Sequence, residues 1–271
     1  DYWFNQMSDI HINAKNVYVK WDMNRSMCYI YSASLPAERQ GEVFHRCMLG
    51  VYELLERLTA AFPDLMIEGC SGGGGRFDAA MLYYSPQIWC SDDTDAVERL
   101  EIQYGTSFLY PIGAVGSHVS ACPNHQTGRI TPFHTRGVVA MAGSFGYELD
   151  LNTLPQEEKE EVRQQGSDYK KYYELIHRGD YYRLNAPGDG KEFVAWAFVS
   201  EDKKQVLVNL VVTHTRANSK PIFIKLKGLD AAVYRLEDGR CLSGSALMNA
   251  GICIPSVSGE YRAVQFELTA Q

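Results

Sequence analysis

The stretch Tyr18–Arg25 reads YVKWDMNR and combines a short β-strand with an unusual set of polar side chains. Side chains on a strand alternate between two faces, so Lys20, Asp22 and Asn24 share one face while the residues between them share the other. A cation, a carboxylate and an amide on one face are costly inside a core. We therefore expect that face to be hydrated or reactive, although a structural Lys20–Asp22 ion pair would give the same pattern.

A second carboxylate cluster follows another short apolar strand, Gln87–Cys90. Part of the acidic run after it is ordinary helix capping, because Thr94 or Asp95 can accept the free N–H groups of the next helix. Asp92 comes too early in the chain to cap, and it lies at a strand end, as Asp22 does. Two carboxylates at the ends of different strands of one sheet are the arrangement that glycoside hydrolysis needs.

Short apolar strands alternate with helices over the first part of the chain, which is typical of βα units around a parallel sheet. The alternation does not separate an open sheet from a closed barrel. In a barrel, active-site groups gather after the carboxyl ends of the strands, where Asp22, Cys70 and Asp92 all fall. The five predicted strands of this kind lie at 17–21, 65–68, 87–90, 112–115 and 146–150.

The character of the chain changes near residue 180. Strand-like segments separated by Gly, Asp, Asn and Pro turns predict an antiparallel sheet or β-sandwich of about ninety residues, an ordinary size for a small domain. We place the domain boundary so that residues 1–178 form the βα part and residues 179–271 the β domain. No cluster of catalytic residue types stands out in the β domain, and a stabilising companion domain is the interpretation that its sequence favours.

Composition excludes several classes of function. The net charge is -7 and there is no basic run, which argues against a nucleic-acid partner. No apolar run reaches the length of a membrane span, and the first residues do not form a signal peptide. The seven cysteines include no CxxC pair, so reduced thiols are expected rather than disulfides or a zinc site. No His pair has metal-ligand spacing, so we predict no metal and no cofactor.

Three motifs together are recognisable: YVKWDMNR at 18–25, CSGGGGRFD at 70–78 and WCSDDTD at 89–95. In this order and spacing they closely resemble the α-galactosidases of glycoside hydrolase family 36. The resemblance runs over the whole chain but covers only the later part of the family's plan, which is a large β-sandwich domain, a (β/α)8 barrel and a C-terminal β domain. It implies that the five predicted strands are the fourth to eighth of a barrel, followed by the β-sandwich.

The same resemblance implies a reaction. The family's nucleophile maps onto Asp22 and its acid/base onto Asp92, with Asp93 as the rival position for the acid. The implied activity is retaining, exo-acting hydrolysis of terminal α-linked galactose from melibiose- or raffinose-type oligosaccharides by double displacement. In such enzymes the two carboxyl groups lie about 5–5.5 Å apart, against about 6.5–9.5 Å in inverting enzymes. We expect the shorter separation.

Further site residues also follow from the resemblance. It places Lys20, Asn24, Cys70 and Gly72 in contact with the galactose. The indole of Trp89 could stack on the sugar's apolar face, although a core position is at least as compatible with the sequence. The glycine run lacks the Lys-Ser/Thr ending of a phosphate-binding loop, so close approach of backbone to the sugar explains it better.

Several expectations concern the protein as a whole. Family members are longer and hold the substrate with further groups that would precede Asp1, so we expect this chain to be a fragment with little activity alone. The complete protein is expected to be cytoplasmic and a homo-oligomer, a tetramer by the resemblance. Alternative activities are those of an α-N-acetylgalactosaminidase or a raffinose-synthase-like galactosyltransferase. A non-catalytic galactoside-binding remnant is the alternative from another class.

Overall fold

The structure is a computed structural model that describes residues 1–25, 27–218, 220–254 and 257–271. The loop predicted after Asp22 includes Ser26, which lies outside the described residues. The chain divides into two compact units, Asp1–Asp92 and Asp93–Gln271, and each is described by itself.

The first unit contains three parallel strands in the order β1-β2-β3, with helices between them. Residues Lys20 and Glu68 are paired in register on β1 and β2, and Glu68 is paired with Gln87 on β3. The elements are α1 (Tyr2–Ala14), β1 (Tyr18–Trp21), a 3-10 helix (Ala37–Glu42), α2 (Val43–Ala61), β2 (Met66–Gly69), α3 (Ser71–Gly74), α4 (Ala79–Tyr84) and β3 (Gln87–Trp89).

Helix α2 packs on one face of this sheet. Its buried residues Val51, Leu55 and Leu58 recur at helical spacing and so form a single apolar stripe. The stripe contributes to a core that also contains Ile67 and Ile88 from the strands. The helix ends just before Pro63, which cannot continue it.

The second unit begins with two more parallel strands, β4 and β5. The strand predicted at 112–115 is displaced, because Ile112–Ala114 forms a 3-10 turn and the strand itself begins at Val115. The prediction followed apolar residues, whereas β4 contains Ser117, His118 and Ser120. The elements are α5 (Glu98–Thr106), β4 (Val115–Ser120), α6 (Phe133–Ala140), β5 (Ser144–Glu148), a 3-10 turn (Leu151–Thr153) and α7 (Gln156–Arg178).

The remaining strands are antiparallel, as predicted, and they form a six-stranded sheet in the order β11-β10-β13-β8-β7-β6 and a two-stranded sheet of β12 and β9. Side chains from both sheets, among them Val208, Leu210, Ile224 and Ile252, share one hydrophobic core. The elements are β6 (Asp180–Arg183), β7 (Phe193–Val199), β8 (Gln205–Val212), β9 (Ile222–Ile224), β10 (Val233–Leu236), β11 (Cys241–Ser243), α8 (Gly244–Asn249), β12 (Ile252–Ile254) and β13 (Arg262–Ala270).

Strand β13 joins the antiparallel sheet to the helices that precede it in the second unit. The Thr135 hydroxyl of α6 donates to the Tyr261 carbonyl over 2.7 Å and accepts the Ala263 N–H over 3.0 Å. Lys171 of α7 forms an ion pair of 2.5 Å with Glu267. These contacts tie the antiparallel sheet to α6 and α7 within the second unit.

Candidate active site

The two faces of β1 differ as the sequence predicts. Val19, Trp21 and Met23 pack against the core formed with α2. Lys20 and Asp22 lie on the opposite face and are exposed to solvent. The polar face is therefore hydrated, and no Lys20–Asp22 ion pair is buried there.

The Asp22 carboxylate lies just beyond the carboxyl end of β1 and is held by several donors. Its Oδ1 accepts the Gly72 N–H over 3.2 Å, and its Oδ2 accepts the Asn24 amide over 3.0 Å. Desolvation alone would raise the pKa of Asp22, but these two bonds, the Cys70 thiol and the charge of Lys20 outweigh it and lower that pKa. Asp22 is thus held in its ionised form, which is the form a nucleophile needs.

Helix α3 is a single left-handed turn at the carboxyl end of β2. Its four residues have positive φ angles of 65° at Ser71, 63° at Gly72, 73° at Gly73 and 86° at Gly74. The N–H of Gly74 donates to the Cys70 carbonyl over 2.9 Å, which closes the turn. Consecutive left-handed residues are unfavourable for side chains with a Cβ, so the glycine run is required by backbone conformation.

Close packing gives a second reason for these glycines. A Cβ at Gly73 would lie 2.4 Å from the Asp92 nitrogen and 3.1 Å from its Cγ, and one at Gly74 would lie 2.7 Å from the Cys90 carbonyl oxygen. The carboxyl ends of β2 and β3 can therefore approach only if positions 73 and 74 have no side chains. Gly72 donates to the Asp22 carboxylate and Gly73 packs against the backbone of Asp92, so neighbouring residues of one turn lie beside both aspartates.

Asp92 follows β3 and is exposed, as Asp22 is. Its Oδ1 accepts the indole N–H of Trp89 over 2.9 Å. The neighbouring carboxylate of Asp93 is half-buried and accepts the backbone N–H of Asp95 over 2.9 Å. Asp93 is thus engaged in the turn that leads into α5, and in the same turn Asp95 accepts the Val97 N–H over 2.8 Å.

The other predicted site residues lie around this pair. The carbonyl oxygen of the Asn24 side chain is 3.4 Å from the position that a Cβ would take on Gly72. The Lys20 ammonium lies 5.3 Å from the centre of the Trp89 ring. Cys70 and Trp89 are each 3 % exposed, so in this chain neither offers an open surface to a ligand. Their contacts with a sugar stay predictions.

A partly buried contact that the sequence analysis missed lies at the amino end of β1 on the same face. Tyr18 donates its hydroxyl to Oε2 of Glu68, a carboxylate that is only 2 % exposed, and burial together with this neighbour raises the pKa of Tyr18. The period-2 pattern of β1, extended back to Tyr18, could have placed this residue on the polar face. The Arg76 guanidinium donates to the Met23 carbonyl over 2.7 Å, which links the motif at 70–78 to the residues after β1.

Among residues 1–25, 27–218, 220–254 and 257–271, no group of three or more His, Cys, Asp or Glu side chains could hold a metal ion. No helix of the described chain is both long enough and apolar enough to cross a membrane.

Comparison with known families supports the assignment of these motifs. Residues 1–179 match the melibiase family, and residues 193–268 match the C-terminal domain of glycosyl hydrolase family 36. The chain belongs to glycoside hydrolase family 36. The resemblance on which the sequence analysis relied is thereby confirmed.

Individual family members are similar over nearly the whole chain. A bifunctional α-galactosidase/sucrose kinase of Mediterraneibacter gnavus is 53 % identical over 98 % of this chain and 28 % of its own length. The α-galactosidase AgaA of Geobacillus stearothermophilus is 48 % identical over 100 % of this chain and 37 % of its own length. The chain therefore spans between about a quarter and two-fifths of the length of these relatives.

Solved structures of such relatives confirm the fold class. The complex of a singly substituted AgaA variant with 1-deoxygalactonojirimycin superposes on 100 % of this chain and 38 % of its own, with a TM-score of 0.97 at 47 % identity. An AgaA variant has also been solved with raffinose, at the same TM-score and coverage. The chain thus has the later part of a (β/α)8 barrel followed by antiparallel sheets, as predicted.

Proposed function

We propose that the protein containing this chain is a retaining α-galactosidase that removes terminal α-linked galactose from oligosaccharides of the melibiose and raffinose type. One observation carries the proposal: Asp22 and Asp92, at the ends of two strands of one parallel sheet, both contact the backbone of the glycine turn α3. The chain's membership of family 36 and the raffinose complex of an AgaA variant, a relative of this chain, support the same substrate class.

The chemistry assigns one role to each carboxyl group. Asp22, held ionised, attacks the anomeric carbon and forms a galactosyl ester as the glycosidic bond breaks. Asp92 gives its proton to the departing oxygen and then takes a proton from the water that hydrolyses the ester, which regenerates both groups. Two inversions at the anomeric carbon give net retention. The mechanism predicts a carboxyl separation of about 5–5.5 Å.

Four further residues are proposed to bind the galactose. The Lys20 ammonium and the Asn24 amide can donate to ring hydroxyls, and Asn24 can also accept from them. The left-handed backbone at Gly72 leaves room for the sugar close to Asp22. The Cys70 thiol hydrogen-bonds with Asp22 and is proposed to contact the sugar beside that carboxylate.

The proposal is tested by assaying the complete gene product that contains this chain on melibiose and raffinose. Replacement of the nucleophile in Asp22→Asn should lower kcat by at least about 10⁴-fold without unfolding the protein. Asp64→Asn is the matched control, because Asp64 is an exposed carboxylate in the turn between α2 and β2, outside all three motifs. Wild-type-like turnover by Asp22→Asn, or none by the wild type on any α-galactoside, would refute the proposal.

A second comparison separates Asp92 from Asp93. Asp92→Asn should keep activity on 4-nitrophenyl α-galactoside, whose leaving group needs little protonation, while it loses activity on melibiose. Asp93→Asn should affect both substrates alike, because its carboxylate bonds the backbone of Asp95. The opposite result would move the acid/base role to Asp93.

The remaining proposals concern the whole protein. Its domain boundary is proposed at 178/179, which limited proteolysis can test. From the family resemblance we propose a cytoplasmic homotetramer, for which light scattering and cell fractionation are the corresponding tests.

A further inference from the structure

We propose that Trp89 is a positioning residue that links the acid/base carboxyl of Asp92 to the sugar-binding ammonium of Lys20. This inference rests on the proposed function and deepens it. The Trp89 ring is 3 % exposed, so the side chain acts here through protein groups rather than through an open stacking surface.

Two contacts on one rigid side chain carry the inference. The indole Nε1 donates to Asp92 Oδ1 over 2.9 Å, and the Lys20 Nζ lies 5.3 Å from the centre of the same ring. The first contact fixes the direction of the carboxyl group. The second attracts the ammonium to the ring face, since the face of an indole is electronegative.

The position of Trp89 in the sheet makes these contacts effective. Trp89 ends β3, and the preceding residue Ile88 lies in the hydrophobic core in register with Gly69 of β2. The large indole ring is therefore held at the sheet edge by packing. A small displacement of the ring would move both Asp92 and Lys20. Asp92 is proposed to protonate the leaving group, and Lys20 is proposed to bind the sugar.

Trp89→Phe tests the first contact, because it keeps an aromatic ring and removes the N–H. We expect kcat/KM for phenyl α-galactoside, which has a poor leaving group, to fall roughly tenfold to hundredfold. The kcat/KM for 4-nitrophenyl α-galactoside should stay within about threefold of wild type, because its departure needs little acid assistance. A purely structural role would lower both values together.

Trp21→Phe is the matched control. Trp21 lies on β1, packs in the core on the other face of the sheet, and has an indole N–H without a hydrogen-bond partner in the described residues. Its replacement also removes one indole N–H but should not change the ratio of kcat/KM between the two substrates.

Trp89→Leu tests the second contact, because it removes the ring face as well as the N–H. Here KM should rise several-fold for both substrates, in addition to the leaving-group effect, because the Lys20 ammonium loses its contact with the aromatic ring. If Trp89→Phe does not fold, Trp89→Tyr replaces it, because it also lacks the indole N–H. The same ratio of kcat/KM between the two substrates is then measured for Trp89→Tyr.

The inference is overturned if the Phe or Tyr variant lowers kcat/KM equally for both substrates, or leaves both unchanged. It is also overturned if Trp21→Phe produces the same ratio change. These outcomes differ from failure of the proposed function, which would show as a wild-type protein without activity on either α-galactoside.

Discussion

Strands β1 and β8 illustrate two uses of a strand in this molecule. In β1, apolar residues pack on one face while Lys20 and Asp22 remain exposed on the other. In β8, the residues from Val206 to Val212 are buried on both faces, although its neighbours are antiparallel. A strand with one polar face can place reactive side chains at its end. A strand that is buried on both faces contributes only to stability. Substitutions in the two regions should therefore affect different quantities.

The glycine turn should be the most sensitive part of the first region. Gly73→Ala adds a Cβ 2.4 Å from the Asp92 nitrogen at a φ of 73°, so the turn or Asp92 must move. Because a displacement of about 1 Å can cost about 10²-fold in rate, we expect kcat/KM for α-galactosides to fall at least about a hundredfold.

Gly239→Ala is the control for that substitution. Gly239 also has a positive φ, 87°, but a Cβ there meets nothing within 4 Å. The change should cost only about 1–2 kcal/mol of unfolding free energy and leave kcat/KM at wild-type values. Equal activity losses in both variants would mean that left-handed strain, and not the approach to Asp92, explains the effect of Gly73→Ala.

In β8, a substitution should lower stability and leave catalytic activity unchanged. Leu210 is 0 % exposed in the core of the β domain. Leu210→Ala should therefore lower the unfolding free energy, measured by urea denaturation, by about 2–5 kcal/mol. Enzyme that remains folded at low temperature should keep its wild-type kcat/KM. A large fall in kcat/KM of the folded variant would show that the β domain contributes to the reaction.

A buried ion pair gives a pH-dependent contribution to stability. Asp95 is 1 % exposed and pairs with Arg129 over 2.5 Å. Desolvation opposes ionisation, but bonds from Thr127, Val97 and Arg129 lower the pKa of Asp95 below its usual value. Its stabilising effect is therefore present above the unfolded-state pKa of about 3.9 and is lost as pH falls through the lower folded-state pKa.

Asp95→Asn should thus lower the unfolding free energy by about 3 kcal/mol at pH 7, and the difference from wild type should shrink as the pH falls below about 4. Urea unfolding at several pH values measures both. A difference that is independent of pH would show that the hydrogen bonds from the backbone, and not the charge of Asp95, account for its role.

The smallest effect is expected on the pH profile of catalysis. The lowered pKa of Asp22 predicts that the acidic limb of kcat/KM lies below the ordinary Asp value of about 3.9. Asn24→Ala removes a donor to Asp22 Oδ2 and should move that limb to higher pH. Movement to lower pH, or none, would contradict the assignment of the limb to Asp22.

The sequence predicted the two faces of β1 better than the conformation of the backbone around them. Alternation along β1 correctly separated Lys20 and Asp22 from the core, because the periodicity of a strand follows from its geometry. The left-handed turn at Ser71–Gly74 was not predicted, since a glycine run permits many conformations and only packing against Cys90 and Asp92 selects this one.

Three short strands were not predicted, and one polar strand was predicted at a displaced position. β6, β11 and β12 have three or four residues each, too few to show a period, and β4 has its polar residues where an apolar run was sought. The pairing of Tyr18 with Glu68 joins residues fifty positions apart. Such a contact depends on the register of β1 and β2, which local sequence does not determine.

The most direct test of the central claim is to trap the galactosyl ester on Asp22. The complete gene product is treated with 5-fluoro-α-galactosyl fluoride, digested with trypsin and analysed by mass spectrometry. Cleavage after Lys20 and Arg25 releases the peptide WDMNR, in which Asp22 is the only side-chain carboxylate. The account predicts one fluorogalactosyl group on this peptide and none in Asp22→Ala. A label on any other peptide, or an active enzyme that accumulates no label, would contradict it.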